Sequence, residues 1–208
     1  MRLLAVLASG QGTNFEALAQ AAQREDLGGR ISVLVSDRPE APALERARRL
    51  GIEALVLPCG SFRTRIEDER VWVDALLQRG VEVVLLAGFM RRLHATFLDE
   101  FRDRILNIHP SLLPAFPGLD AIRQAWEHGV KVTGCTVHLV DGTVDGGSIL
   151  AQAAAEVSED DTLATLEDRV HEAEHRLYPW AVKRYLGTPW RRVGRALRFD
   201  PALGVSNG

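Results

Sequence analysis

The sequence predicts an α/β fold: an open, mostly parallel, Rossmann-like sheet with helices on both faces and C-terminal strands that turn partly antiparallel. Three observations carry this. Short apolar runs such as 81–87, VEVVLLA, are continuous rather than alternating, as in strands buried on both faces. Amphipathic stretches of helical length alternate with those runs through the first half, the rhythm of βαβ units. After Pro110 the rhythm changes, and two strand-like runs flank DGTVDGG, a loop rich in turn residues.

In order, residues 3–8 read as a strand and 14–23 as a helix; 31–36 as a strand and 41–50 as a helix with Arg and Glu on its outer face. Residues 53–57 form the third strand. Residues 66–79 read as a helix with Val71, Ala75 and Leu76 on one face. The strand at 81–87, a short helix at 94–101 and a fifth strand at 105–109 complete the first half. Then come a helix at 119–128, the strands VTGCTVHLV and SILAQAAAEV, and a long helix at 161–185 with Asp160 or Asp161 near its cap. Pro179 is expected to kink or end that helix. Residues 190–199 suggest a small hairpin around Gly194. Leu113–Pro114 is the candidate for a cis bond.

Composition narrows the function classes. The 208 residues suit one domain, 1–208, and 46% apolar with 25% charged residues is ordinary for a soluble globular protein. A net charge of −3 gives no pull toward nucleic acid or an anionic membrane. Basic residues are nearly all Arg, with Lys only at 131 and 183, and they are scattered. Cys59 and Cys135 form no CxxC, which disfavours a disulfide framework or thiolate metal site and fits a reducing cytoplasm. The apolar run at 3–8 is short for a signal peptide, and no run approaches the roughly 20 residues of a membrane span.

Residues 9–14, SGQGTN, lie between the first strand and first helix. Gly10 and Gly12 let a ligand approach the backbone, the helix N-terminus offers free N–H groups to an anion, and Thr13 and Asn14 add donors. The loop is not a P-loop, since no Gly-Lys-Ser/Thr follows. It is a poor dinucleotide fingerprint, since Phe15 stands where the last Gly belongs; Asp37, past the second strand, is what keeps a dinucleotide open. A tight turn without a ligand is the plain alternative.

Residues 104–114, RILNIHPSLLP, put Asn107 and His109 on one side of a strand and Leu106 and Ile108 on the other. Pro110 removes the next backbone donor and keeps His109 extended. A core strand gains nothing from an amide beside an imidazole, whereas an active site does. Residues 171–175, HEAEH, match HExxH, so zinc with Glu172 as base has to be considered. No Glu or His follows as a third ligand and Pro179 interrupts the helix, so a polar helix face, or Glu174 at the rim of a site, fits better and no metal is expected. His94, His128 and His138 receive no role; His138 is expected to face outward from its strand.

Four segments, SGQGTN, LAGFMRRL, LNIHPSLLPAFPG and VDGTVDGG followed by ILAQ, resemble the folate-dependent phosphoribosylglycinamide formyltransferases over roughly residues 3–179. The resemblance implies catalytic roles for Asn107, His109 and Asp145. It implies substrate contacts at Gly12, Thr13, Asn14, His171, Glu172, Ala173 and Glu174. Folate contacts would fall on Arg65, Met90, Arg91, Arg92, Leu93, Asn107, Asp141, Gly142, Thr143, Val144 and Asp145. Residues 1–105 would then be the phosphate-binding half and 106–208 the catalytic and folate-binding half. There are departures: Arg92 stands where an aliphatic residue is frequent, Asp120-Ala121 replaces a His-containing pair, and His171-Glu172 is a local variant.

The implied reaction moves a formyl group from 10-formyltetrahydrofolate, a co-substrate, to the amine of glycinamide ribonucleotide in purine biosynthesis. Amine attack creates a tetrahedral oxyanion, for which Asn107 offers neutral N–H donors. His109 shuttles a proton, and Asp145 favours its charged form. No metal and no covalent intermediate is needed, and the cysteines have no evident task. Partners would be small molecules, with no nucleic acid or membrane and a homodimer left open. The rivals are formyltetrahydrofolate deformylase, with water as acceptor and usually an N-terminal regulatory domain, and methionyl-tRNA formyltransferase, with an extra RNA-binding domain. An NAD-dependent oxidoreductase resting on Gly10, Gly12 and Asp37, and a non-catalytic binding protein, are more remote.

Overall fold

The computed structural model describes residues 1–24, 26–194 and 196–200; Glu25, Arg195 and the last eight residues of the expected 1–208 domain lie outside the described residues. The chain runs β1 (Arg2–Leu7), α1 (Thr13–Gln23), β2 (Gly29–Ser36), α2 (Pro42–Arg49), β3 (Glu53–Val56), α3 (Glu69–Leu77), β4 (Val83–Leu86), α4 (Ala95–Glu100) and β5 (Ile105–His109). It continues through α5 (Ala121–Glu127), β6 (Val132–Leu139), β7 (Ile149–Glu156), α6 (Leu163–Gly187), β8 (Trp190–Val193) and β9 (Ala196–Phe199). The described strands form one sheet in the order β3-β2-β1-β4-β5-β6-β7-β9-β8. β1 to β5 are mutually parallel; β6 is antiparallel to both β5 and β7.

Both faces of the parallel part are covered, which is why its strands are continuously apolar. Leu4 and Val6 of β1 pack with Phe15 and Leu18 of α1, Leu44 of α2 and Tyr178 and Val182 of α6. Ala5 and Leu7, pointing the other way, pack with Trp72, Val73 and Leu76 of α3 and Phe97 of α4. A third cluster joins Ile122, Cys135, Leu166 and Val170 under α5 and α6. The chain leaves β1 toward β2 and β3 on one side and returns to β4 and β5 on the other. The crevice at the carboxyl ends of β1 and β4 is therefore where a ligand site is expected in such a sheet.

One helix differs in its bounds from the sequence reading, and another runs on through the proline expected to kink or end it. α3 starts at Glu69, where Asp68 caps it by accepting from the Arg70 N–H (3.0 Å), and not at residue 66. Its buried stripe is Trp72, Val73 and Leu76, while Val71 is 42% exposed, because the large Trp72 ring takes the core side of the helix. α6 runs through Pro179 to Gly187. Tertiary contacts on both sides of the proline hold it: Tyr178 is fully buried and its hydroxyl donates to the carbonyls of Leu86 and Leu106 (3.0 Å each), and Ala181, Val182 and Tyr185 are buried beyond it. Thr162 starts the same helix with a capping box to Thr165. The Leu113–Pro114 bond is cis.

Candidate active site

The loop after β1 enters α1 at Gly12, which has φ 75° and caps the helix in the left-handed region. A Cβ there would lie 2.6 Å from that of Ala43, so the turn requires glycine on two counts. Beyond it, the Asn14 Nδ2 donates to Glu174 Oε2 at 2.9 Å, and His171 Nδ1 lies 2.9 Å from the same oxygen. Asn14 Oδ1 is buried without a hydrogen-bond partner. The Glu174 carboxylate raises the pKa of His171, whereas burial lowers that of His175. Of residues 171–174, the structure thus brings His171 and Glu174 to the loop; Glu172 is exposed beside Arg176 (3.9 Å), and Ala173 lies in the third apolar cluster. No group of three His, Cys, Asp or Glu residues able to hold a metal occurs among the described residues.

Two strands away, β5 presents Asn107 and His109. Its partner β6 sets His138 directly opposite Asn107 and Thr136 opposite His109. His109 Nε2 lies 2.8 Å from the Phe116 carbonyl, and a carbonyl only accepts, so Nε2 carries the proton and Nδ1 faces Asp145 Oδ2 at 3.5 Å. Asp145 has φ 48° and its Oδ2 accepts from the Gly118 N–H at 2.8 Å. The Pro-rich loop that supplies both partners is pinned by Thr136, whose hydroxyl donates to the Ser111 carbonyl (2.7 Å) and accepts from the Leu113 N–H (3.0 Å). Gly147, two residues after Asp145, cannot carry a side chain: its Cβ would stand 1.8 Å from the Leu139 carbonyl oxygen.

His138 overturns the outward orientation expected of it. It is 2% exposed, because β6 is an interior strand covered on both faces, and there alternation does not separate core from solvent. Its Nδ1 lies 2.9 Å from the Leu139 carbonyl, so it donates there; Nε2, 3.2 Å from Asn107 Nδ2, accepts. Burial, the larger effect, lowers the pKa of His138 against the opposing pull of the Leu139 bond and Asp145, consistent with a neutral ring. One amide hydrogen of Asn107 is thereby committed and the other left for a ligand. The signal that could have found His138 was its position opposite Asn107, which only strand pairing reveals.

The segment after β4 borders both regions. The Met90 N–H donates to Ser9 Oγ at 2.9 Å, and Ser9 N–H to the Gly88 carbonyl at 3.1 Å. Arg91 bonds to Asp37; Arg92 N–H donates to the Thr64 carbonyl (2.8 Å), setting Arg92 beside Arg65, whose guanidinium lies 3.9 Å from the Phe62 ring centroid. Leu93 is buried in the α3 and α4 cluster. Across the crevice, Asp141 Oδ1 accepts from the Thr143 N–H (2.8 Å) and hydroxyl (2.5 Å), shaping the 141–145 turn with Gly142 and an exposed Val144. The side chains available at the carboxyl ends of these strands are donors, a carboxylate and imidazoles, suited to moving a proton at a polar reaction centre and gripping an anion nearby.

The formyl transferase family matches residues 1–182, and the chain belongs to that family. Within it, the similarity is to one branch: the phosphoribosylglycinamide formyltransferase of Bacillus subtilis is 44% identical over 187 residues, which is 90% of this chain and 96% of that one. The glycinamide ribonucleotide transformylase 1 of Symbiobacterium toebii superposes with a TM-score of 0.91 at 46% identity, covering 96% of this chain and 94% of that one. The human trifunctional purine biosynthetic protein adenosine-3 is 41% identical over 86% of this chain, which spans 18% of its length.

Proposed function

We propose that the chain is a phosphoribosylglycinamide formyltransferase, which moves the formyl group of 10-formyltetrahydrofolate to the amine of glycinamide ribonucleotide. The observation that carries this reading is the convergence of Asn107, His109 and Asp145, with His138 between Asn107 and Asp145, at the carboxyl end of β5, two strands from a glycine turn at the end of β1. The phosphate is held by the α1 N-terminus through Gly12, Thr13 and Asn14, where free N–H groups and the helix dipole favour an anion. Glu174, joined to Asn14, accepts from a polar group of the same substrate. The donor lies along Arg65, residues 90–93 and the 141–145 turn.

The amine nitrogen attacks the formyl carbon, forming a C–N bond and an oxyanion. The uncommitted amide hydrogen of Asn107 stabilises that oxygen. His109, through Nδ1, passes a proton between the attacking amine and the departing folate nitrogen, whose C–N bond breaks as the oxyanion collapses. Asp145 steadies the imidazolium during the transfer. The task requires two substrates held side by side rather than a covalent intermediate. No described helix is long and apolar enough to cross a membrane, and a cytoplasmic enzyme acting on small molecules follows from this reading.

The test is formyl transfer from 10-formyltetrahydrofolate with and without glycinamide ribonucleotide. Product formation that requires the ribonucleotide is expected. Release of formate regardless of the ribonucleotide would indicate a deformylase. His109→Ala and Asp145→Asn should each lower kcat by about 10²-fold or more, in the range of acid–base groups, with ribonucleotide binding by calorimetry largely intact. Unchanged turnover in both variants would overturn the mechanism.

A further inference from the structure

Asp37 is the carboxylate that kept a dinucleotide site open in the sequence, and formyl transfer gives it no task. It follows β2 directly and its side chain is 0% exposed. Its Oδ2 accepts from Arg91 Nε at 2.7 Å, and its Oδ1 is buried without a hydrogen-bond partner. Sealed beneath Arg91, it is out of reach of a ribose hydroxyl. A buried carboxylate with one oxygen unsatisfied is costly to keep. The group that benefits is the Arg91 guanidinium, itself only 13% exposed, which also donates from Nη1 to the Phe62 carbonyl at 2.7 Å.

That one guanidinium therefore ties three chain segments together: the end of β2, the 58–65 loop, and the 88–93 loop. The next residue repeats the connection, since Arg92 N–H donates to the Thr64 carbonyl and Arg92 pairs with Arg65. Both loops carry residues that the proposed function sets against the folate donor. The 58–65 loop is largely exposed and lacks helix or strand of its own, so its placement depends on such ties.

We propose that Asp37 is a positioning residue for the formyl donor, acting through Arg91 to hold the 58–65 and 88–93 loops together as one wall of the donor cleft. This rests on the formyltransferase reading. Without the carboxylate, Arg91 keeps its bond to the Phe62 carbonyl but loses its anchor on the end of β2, the joined loops are no longer fixed to the sheet, and the donor meets a wall that must be ordered on binding. The ribonucleotide is held by α1 and Glu174, and the wall meets that side through Ser9, bonded to Met90 and to the Gly88 carbonyl, bonds that neither Asp37 nor the Arg91 guanidinium makes.

The test is a double-mutant cycle with Asp37→Ala and Arg91→Ala, reading donor KM, ribonucleotide KM, kcat and donor Kd by calorimetry. Asp37→Ala is expected to raise donor KM and Kd about tenfold, with ribonucleotide KM and kcat within about twofold, and to add nothing further in the Arg91→Ala background, as for two residues that act as a unit. Asp37→Asn keeps an oxygen for the Arg91 Nε–H and should restore donor KM to within about threefold of wild type, since the loss is then of charge and not of the bond. If Asp37→Ala does not fold, Asp37→Asn carries the cycle, with a two- to threefold rise in donor KM on its own and none beyond Arg91→Ala in combination, by the same rule. Unchanged donor KM, equal rises in both KM values, or additive effects would overturn the proposal. Absence of formyl transfer by the wild-type protein would instead overturn the functional reading, while donor Kd in the variants still reports on Asp37.

Discussion

An asparagine beside a histidine on one strand was legible in the sequence; what holds the asparagine was not. Asn107 has two amide hydrogens, and one goes to the neutral ring of His138. That contact orients the amide, and it exists because β5 and β6 pair antiparallel with residues 107 and 138 in register. On the proposed mechanism Asn107→Ala lowers kcat by about 10²–10³, the cost of one oxyanion donor. His138→Ala should lower kcat by a smaller factor, and the double variant should be no slower than Asn107→Ala alone. Steady-state kinetics of the three variants check this; a further loss in the double variant would show that His138 acts independently. Glu174 was also legible as a residue of interest within HEAEH, although it is buried at 3% exposure. Its bond to Asn14, 160 residues earlier, was not, because nothing local encodes it.

At the scale of elements, periodicity located the βα units well and their ends less well. The helix expected at 66–79 shortened to α3 because Asp68 caps it, and the long helix expected at 161–185, with a kink or end at Pro179, runs through that proline because Tyr178 anchors it to β4 and β5. The first is a local cap that periodicity does not register, and the second is a tertiary effect overriding local preference. The turn between β6 and β7 shows the reverse, local sterics dictating sequence. Gly147 passes so close to the Leu139 carbonyl that any side chain would force the strands apart, and the left-handed Asp145 lies two residues before it. Gly147→Ala is therefore expected to lower Tm by about 5–10 °C, corresponding to a few kcal/mol in a chain of this size, and to lower kcat by displacing Asp145. A melting curve and a kcat matching wild type would refute the close approach.

For the whole molecule, parallel topology was readable from strands that lack a polar face, but the strand order was not, since it depends on which apolar faces meet. Two clusters on opposite sides of one sheet share the same strands, so loss of either exposes the other. Global stability then responds to single titrating groups. The pKa of His171 is raised above the ordinary 6.5 by Glu174, so its pairing stabilises the fold fully below pH 6.5 and ceases to do so as pH climbs through the raised value. His138 and His175 have the opposite sign: burial lowers their pKa values, and stability declines as pH drops below 6.5. The Tm of wild type should exceed that of His171→Gln by about 1–3 °C at pH 6, as suits a half-exposed pair, and the difference should vanish by pH 9. A gap that widened with pH would reverse the assignment. Because β4 alone separates β1 from β5, the loop after β1 and the Asn107–His109 pair stand two inter-strand steps apart, about 10 Å. On the proposed function that spacing makes the sheet a ruler for the acceptor: a sugar phosphate whose amine arm is a methylene too short or too long would reach one end and miss the other.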